Sequence, residues 1–328
     1  MSNFIIECEE LVKQTQGSLS DNPEWIERYS VYADGINKNI ETIKEKKSKF
    51  NQWAPLYLYM NVTEAKGSTK FSIRYLGQDV AKIKVFEDKI IVSSMDFSKN
   101  NLRDFDCSIE LSDVDWRSKE ATSFRKHFIA YGKRTSNSPK KNEEHRIESL
   151  LLTEFSKNDS KTKLMCNIQP VKMAGITRFQ MPTPLAASKV DNLKYSGVSG
   201  GGIDILARIG KGRGTKLCVL EVKDENVKNE PPAKAIRQGI VYATFLLGLL
   251  RSKGGNKWWK LFGFSRNLPK SISIAVACVM PSDIEDTTFA KNEIAIGEDK
   301  LILHYVYFDE SDHQLLELET SMSECKIK

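Results

Sequence analysis

The chain is poor in the residues that build thiolate metal centres and covalent cross-links. Its six cysteines (Cys8, Cys107, Cys166, Cys218, Cys278, Cys325) are scattered, with no Cys-x-x-Cys pair. That argues against structural zinc and against a disulfide framework. Only four histidines occur (His127, His145, His304, His313), and they form no close ligand pair. The first ten residues carry no basic segment ahead of an apolar core, and the longest apolar run, Ile240 to Leu250, is too short to cross a bilayer. Secretion and membrane insertion are therefore not expected, and a reducing cytoplasm is.

What is present is a globular balance. A chain of 328 residues with 40% hydrophobic and 28% charged content is long enough for two ordinary domains with sizeable cores. No internal repeat or extended low-complexity tract interrupts it. A net charge of +6 suits a polyanionic partner but is too modest to establish one.

The most informative stretch is Glu221-Val222-Lys223, which closes the apolar strand Leu217-Cys218-Val219-Leu220 and follows Gly201-Gly202-Ile203-Asp204. Alternate residues of a strand share a face, so Glu221 and Lys223 project with Leu217 and Val219, and Val222 points away. Such a strand reads as buried on both sides, where ionised groups are costly unless they are used. Phosphodiester hydrolysis needs an in-line water, neutralisation of charge on phosphate oxygens and help for the leaving oxygen. A hard cation held by oxygen ligands supplies these. On that chemistry Asp204 and Glu221 are the expected metal ligands, with the Val222 carbonyl completing the coordination. Lys223 would orient or deprotonate the water and stabilise the phosphate. The blander reading is a sheet-edge ion pair between Glu221 and Lys223, with Asp204 a turn residue.

In this order the residues resemble the PD-(D/E)XK nuclease superfamily, the metal-dependent fold of many restriction enzymes, junction resolvases and recombination exonucleases. The Asp enters a second strand at Ile203-Asp204, without the nominal Pro, and Glu221-Val222-Lys223 closes a third after a short hairpin. The segment from Pro231 to Tyr242 is similar to a helix that carries a Gln and a Tyr four residues apart in a large subset of the superfamily, here Gln238 and Tyr242 on one helical face. The superfamily's first core helix usually bears a Glu. Within Glu143 to Phe155, Glu148 is preferred and Glu144 held in reserve, beside the apolar stripe Ile147, Leu151, Phe155. The resemblance covers residues 141 to 310, and the first 140 match nothing.

The resemblance implies an α/β fold with a restriction-endonuclease-like core, a mixed central sheet flanked by helices. It implies Mg²⁺ as cofactor, with Mn²⁺ as the alternative, and Asp204, Glu221, Lys223 and Gln238 as catalytic residues. Glu148 joins Asp204, Glu221 and Val222 around the metal. DNA is the expected substrate, ahead of RNA, in restriction, phage defence or repair.

The first 140 residues read as an α+β accessory domain: helices from Phe4 to Thr15 and from Glu24 to about Lys46, the second behind the capping signal Ser20-Asp21-Asn22-Pro23. Antiparallel strands follow at Leu56–Met60, Phe71–Tyr75, Ala81–Val85 and Ile90–Val92, then a helix at Trp116–Phe128 with cations interleaved among aromatics. The boundary falls in the polar, basic segment Lys133–Lys141, leaving residues 141–328 as the nuclease domain. The loop Phe179–Leu185 and the run Gly197–Gly202 are expected to flank the substrate groove. Lys211 and Arg213, on the turn Gly210–Lys216, and Tyr242 are expected at the nucleic acid. That turn has neither the spacing nor the strand-to-helix setting of a phosphate loop. Trp258 and Trp259 are read as core packing in preference to base stacking.

Two rivals stand against the nuclease. One is a non-cleaving nucleic-acid-binding or interaction module on the same fold, against which the intact charged residues weigh. The other is a metal-dependent phosphoesterase acting on another substrate. Endonuclease or exonuclease action, a homodimer and a partner ATPase are left open.

Overall fold

Apolar residues at three- and four-residue spacing start the chain as helix α1 (Asn3–Ser20), which buries Ile5, Cys8, Leu11, Val12, Thr15 and Leu19. It outruns the expected Thr15 because Leu19 continues the stripe. The computed structural model describes residues 3–44, 56–62, 68–75, 78–95, 105–134, 143–156, 167–173, 176, 179–187, 193–224, 230–283, 286–311 and 314–322. Helix α2 (Glu24–Lys38) begins after Pro23 without a side-chain cap. Within the expected capping signal Ser20-Asp21-Asn22-Pro23, Asn22 turns back, its Nδ2 donating to the Ser18 carbonyl at 2.8 Å.

A meander of β1 (Tyr57–Met60), β2 (Thr69–Tyr75), β3 (Gln78–Val85), β4 (Ile90–Ser94) and β5 (Val114–Asp115) pairs antiparallel throughout. Helix α3 (Lys119–Arg134) follows, with Phe124 and Phe128 fully buried beneath it. The sheet does not end with these strands. After α4 (Glu143–Phe155) and β6 (Gln169–Pro170), strand β7 (Phe179–Pro182) pairs parallel with β1. The ribbon β8 (Leu185–Ala186) and β9 (Lys194–Tyr195) follows, and β10 (Gly202–Ile203) then adds to β7. The first sheet therefore runs β10-β7-β1-β2-β3-β4-β5. The segment expected as a loop from Phe179 to Leu185 is mostly strand, because β7 is held between β1 and β10.

The second sheet takes β11 (Ile205–Ile209), β12 (Lys216–Val222), β13 (Ser273–Pro281), β14 (Glu293–Ile296), β15 (Asp299–Ser311) and β16 (Gln314–Thr320). Its order is β14-β15-β13-β12-β11-β6, with β16 also on β15. The sheet is mixed: β12, β13 and β15 run parallel, and β11 folds back antiparallel on β12. Alternation divides its side chains between two cores. Cys218, Leu220, Val222, Ala275 and Val279 pack under α4 with Ile147, Leu151 and Phe155. Leu217, Val219, Ile274 and Val276 face the larger core, which includes helix α5 (Pro232–Arg251) and extends to α1. Helix α6 (Gly255–Leu261) follows, with Trp258 donating to the Tyr29 carbonyl at 3.2 Å.

The architecture is mixed α/β. The expected boundary segment lies mostly outside the described residues, and pairing crosses it: residues 1–140 and 141–328 share the first sheet and the larger core. Helix α5 is the one helix among the described residues long and apolar enough to cross a membrane, and 78% of that apolar window is buried in the fold. Cys8, Cys107, Cys218 and Cys278 are free and buried; Cys166 and Cys325 lie outside the described residues.

Candidate active site

Register brings the charged residues together. Ile205 stands opposite Leu220 across the β11–β12 pair, so Asp204, one residue before β11, meets Glu221, at the end of β12. Asp204 is also the single residue between β10 and β11, where the chain leaves one sheet for the other. Its Oδ2 accepts the Val222 backbone N–H at 2.9 Å. Glu221 is 0% exposed and Lys223 only 7%. Lys223 Nζ donates to Glu221 Oε1 at 2.9 Å and lies 3.5 Å from Glu144 Oε1. Glu148, one turn further along α4, is buried and pairs with His145 Nδ1 at 3.1 Å through its Oε2.

Glu221 Oε2 is buried with no hydrogen-bond partner. A lone buried carboxylate oxygen costs free energy, so the site is poor in positive charge as it stands. At full ionisation, the carboxylates of Glu144, Glu148, Asp204 and Glu221 face one ammonium and one imidazole. The carboxyl groups are shifted accordingly. Burial, then the charge of Asp204, hold Glu221 well above the usual carboxylate range. Burial pushes Glu148 up to about 7, with the His145 hydrogen bond offsetting part of the rise. Glu144 is raised by burial against the pull of Lys223. Burial alone would lower Lys223, but Glu221, Asp204 and Glu144 outweigh it and keep the ammonium charged.

Whether these residues fit a divalent cation follows from the donors. Among the described residues, no three or more His, Cys, Asp and Glu side chains group closely enough to hold a metal ion. Protein donors answer part of the expected ligand set, Lys223 on Glu221 Oε1 and the Val222 N–H on Asp204 Oδ2. The expected set includes three such side chains, Asp204, Glu221 and Glu148, which do not group that closely here; two carboxylates and the Val222 carbonyl are the smaller set that is left. Hard oxygen donors, an unmatched buried oxygen and surplus negative charge fit a hard divalent ion.

Helix α5 reaches the site because residue 239 is glycine. A Cβ there would lie 2.8 Å from Val276 Cγ1 and 3.8 Å from Glu221 Cβ. Gln238 is buried, its Nε2 donating to Tyr242 Oη at 3.4 Å, a long and weak contact. Tyr242, expected at the nucleic acid, is 1% exposed. Its hydroxyl braces the segment leading to Asp204, since a Cβ on Gly201 would lie 2.3 Å from that oxygen. Packing α5 beneath the sheet withdraws this phenol from any polymer.

A cavity of about 420 Å³ opens beside the cluster, lined among others by Tyr59, Arg28, Arg74, Gln180 and Gly200–Gly202. The glycine run lines this cavity, which none of Glu144, Glu148, Asp204, Glu221 and Lys223 lines. Lys211 and Arg213 do not belong to this site: both are exposed on the β11–β12 turn, at the opposite end of those strands from Asp204. Trp258 is buried in the core as expected, and Trp259 stacks on Phe264 with centroids 3.7 Å apart.

Two members of the cluster were missed in the sequence. His145 reads there as a helix-surface residue, although its three-residue spacing from Glu148 is the signal of a contact. Tyr59 lies on β1, and its phenol feels the charges of Glu148 and Asp204. No local pattern links it to residues so far along the chain. Comparison with known proteins adds no assignment: no family model, no curated protein and no solved structure matches this chain.

Proposed function

We propose that the chain is a Mg²⁺-dependent nuclease that hydrolyses DNA phosphodiester bonds, built on a restriction-endonuclease-like core. The observation that carries this reading is the fully buried Glu221 carboxylate, one oxygen on Lys223 and the other on nothing, beside Asp204. Retaining such charges costs stability unless they are used in chemistry. The sheet with α4 against one face and α5 against the other supports the fold assignment.

In this reading Asp204, Glu221 and the Val222 carbonyl hold the ion, with Glu148 next to them. A bound divalent cation neutralises charge on the phosphate oxygens and acidifies a water. Lys223 keeps its proton and donates to the attacking water or to a phosphate oxygen as charge develops there. Glu144 holds Lys223 from the other side. Gln238 and Tyr242 act as positioning residues, bracing the backbone that delivers Asp204. The cavity beside Tyr59 and Arg74 receives the strand, and the products carry a 5′-phosphate and a 3′-hydroxyl. Action in the cytoplasm fits the free cysteines.

The test is cleavage of linear, circular and branched DNA and of RNA with Mg²⁺, Mn²⁺ or EDTA, comparing the wild type with Lys223→Ala and Asp204→Asn. Metal-dependent cutting of DNA that both variants lose is the expected result, and cutting of circles marks an endonuclease. Folded protein that cuts nothing under any metal would overturn the reading in favour of a binding module.

A further inference from the structure

Two sequence features that the active site leaves unused meet at the other end of β11 and β12. The turn with Arg213 and the stacked pair Trp259–Phe264 line a second cavity of about 630 Å³. Arg208, Lys216 and Arg266 line it too, and among the described residues around it none is Asp or Glu. No ion pair with a described carboxylate engages Arg213, Lys216 or Arg266. The five residues of β11 separate this end from Asp204, roughly 17 Å at about 3.4 Å per residue.

The walls are built and not merely basic. Arg208 is fixed by donating from Nη1 to the Gly263 carbonyl at 2.9 Å, and its guanidinium lies 5.9 Å from the centre of the Phe264 ring. Three polar atoms in residues of these walls have no partner in the fold: Arg208 Nε, Trp259 Nε1 and Ser273 Oγ. The two nitrogens can only donate, and the hydroxyl can. Trp259 is more than nine-tenths buried. All three atoms are closed off from solvent, so they lie within the wall and do not face the cavity.

We propose that this cavity binds a phosphate-bearing ligand of mononucleotide size, at a site separate from the carboxylate cluster. Four cations without a carboxylate select an anion, and arginines suit phosphate because their donors are paired and planar. The aromatic pair, with Ile272 and Pro269 in the same wall, gives a planar ring an apolar surface. The volume falls in the range of small-molecule sites, ~300–1,000 Å³.

The test is calorimetric titration of the full chain in EDTA with ATP, AMP and inorganic phosphate, and with a short single-stranded oligonucleotide. Arg213 and Arg266 are exposed, so the double variant Arg213→Glu, Arg266→Glu keeps the fold, which circular dichroism checks. A mononucleotide should bind and weaken about tenfold or more in that variant, which is at least the loss of one charge-assisted contact of the two removed. Asp204→Asn should leave its affinity unchanged, which separates this cavity from the active site whatever the cleavage assay gives. Absence of mononucleotide binding at millimolar concentration would overturn the proposal, as would binding indifferent to the two arginines. Arginine-dependent binding of the oligonucleotide alone would overturn it as well, and would make the cavity part of a polymer track.

Discussion

The backbone N–H of Val222 donates to Asp204 Oδ2 at 2.9 Å, tying the residue where the chain changes sheets to the end of the strand that carries Glu221 and Lys223. The bond fixes the acid through the backbone of the very tripeptide it works with. Side-chain changes at residue 222 that keep its size should therefore leave the pair intact.

Divalent metal should stabilise the protein through the same carboxylates. On the proposed function Mg²⁺ would bind the folded chain and relieve its surplus charge, so the wild-type melting temperature should rise with Mg²⁺. Linkage gives about 2.7 kcal/mol at a hundredfold excess over Kd. Thermal melts of Asp204→Asn and Glu221→Gln should show no such rise. A full shift in both would remove these residues from the ion.

Lys223→Met keeps the length of the side chain and removes its charge. Cleavage should fall by about 10²–10³-fold, the usual cost of losing one donor to a developing oxyanion. The metal-free variant should also lose about 3 kcal/mol in urea unfolding, because Glu221 is left buried without its ammonium. Single-turnover rates near wild type would exclude Lys223 from the chemistry.

Acid should stabilise the metal-free chain. Glu148 is held at about 7 when folded, above its unfolded value, so the folded state binds its proton more tightly. Stability then falls as pH rises from the ordinary carboxylate range to about 7. His145, raised first by its hydrogen bond to Glu148, acts in the same direction, its contribution lost as pH rises through its folded value. Glu144 keeps its part in Glu148→Gln, whose melting temperature in EDTA should vary less between those limits. An equal slope in that variant would refute the assignment.

Gly239→Ala sets two effects against each other. Alanine gains about 1 kcal/mol of helix propensity. The new methyl would also stand 2.8 Å from Val276 Cγ1, and overpacking costs about 1–3 kcal/mol. Net destabilisation is expected, with cleavage falling further as Gln238 and Tyr242 shift. A gain in stability by denaturant titration would mean that α5 moves freely at this point.

Tyr242→Phe removes only the hydroxyl that braces Gly201. Affinity for a short DNA duplex in EDTA should stay unchanged while cleavage with Mg²⁺ drops. Weakened binding with normal cleavage would return Tyr242 to the substrate.

The strand of the candidate site was legible because its pattern is local. Apolar alternation in Leu217–Val222 gives the strand, and charges on one buried face give the site. Helix α5 and the hairpin at Gly210–Lys216 follow from the same local rules. Strands β7 and β10 were not legible, since two-to-four-residue strands draw stability from their neighbours and carry too few residues for a period. His145 is half-buried on the surface of α4, and what went unread was its three-residue spacing to Glu148. Lys211 and Arg213 were assigned to the substrate on charge alone, and charge does not say which end of a strand a turn occupies.

Pairing of Leu58 with Phe179 sets an order on synthesis. When β1 to β5 have left the ribosome, one edge of their sheet is still open, and it closes only once β7 is made. β10 then covers β7, and the next residue is Asp204. Contacts so distant along the chain slow folding and leave strand edges exposed to aggregation meanwhile. The last strand of the first sheet is thus made one residue before Asp204, and a fragment starting at residue 141 would keep the second sheet while leaving β7 and β10 without the sheet they join.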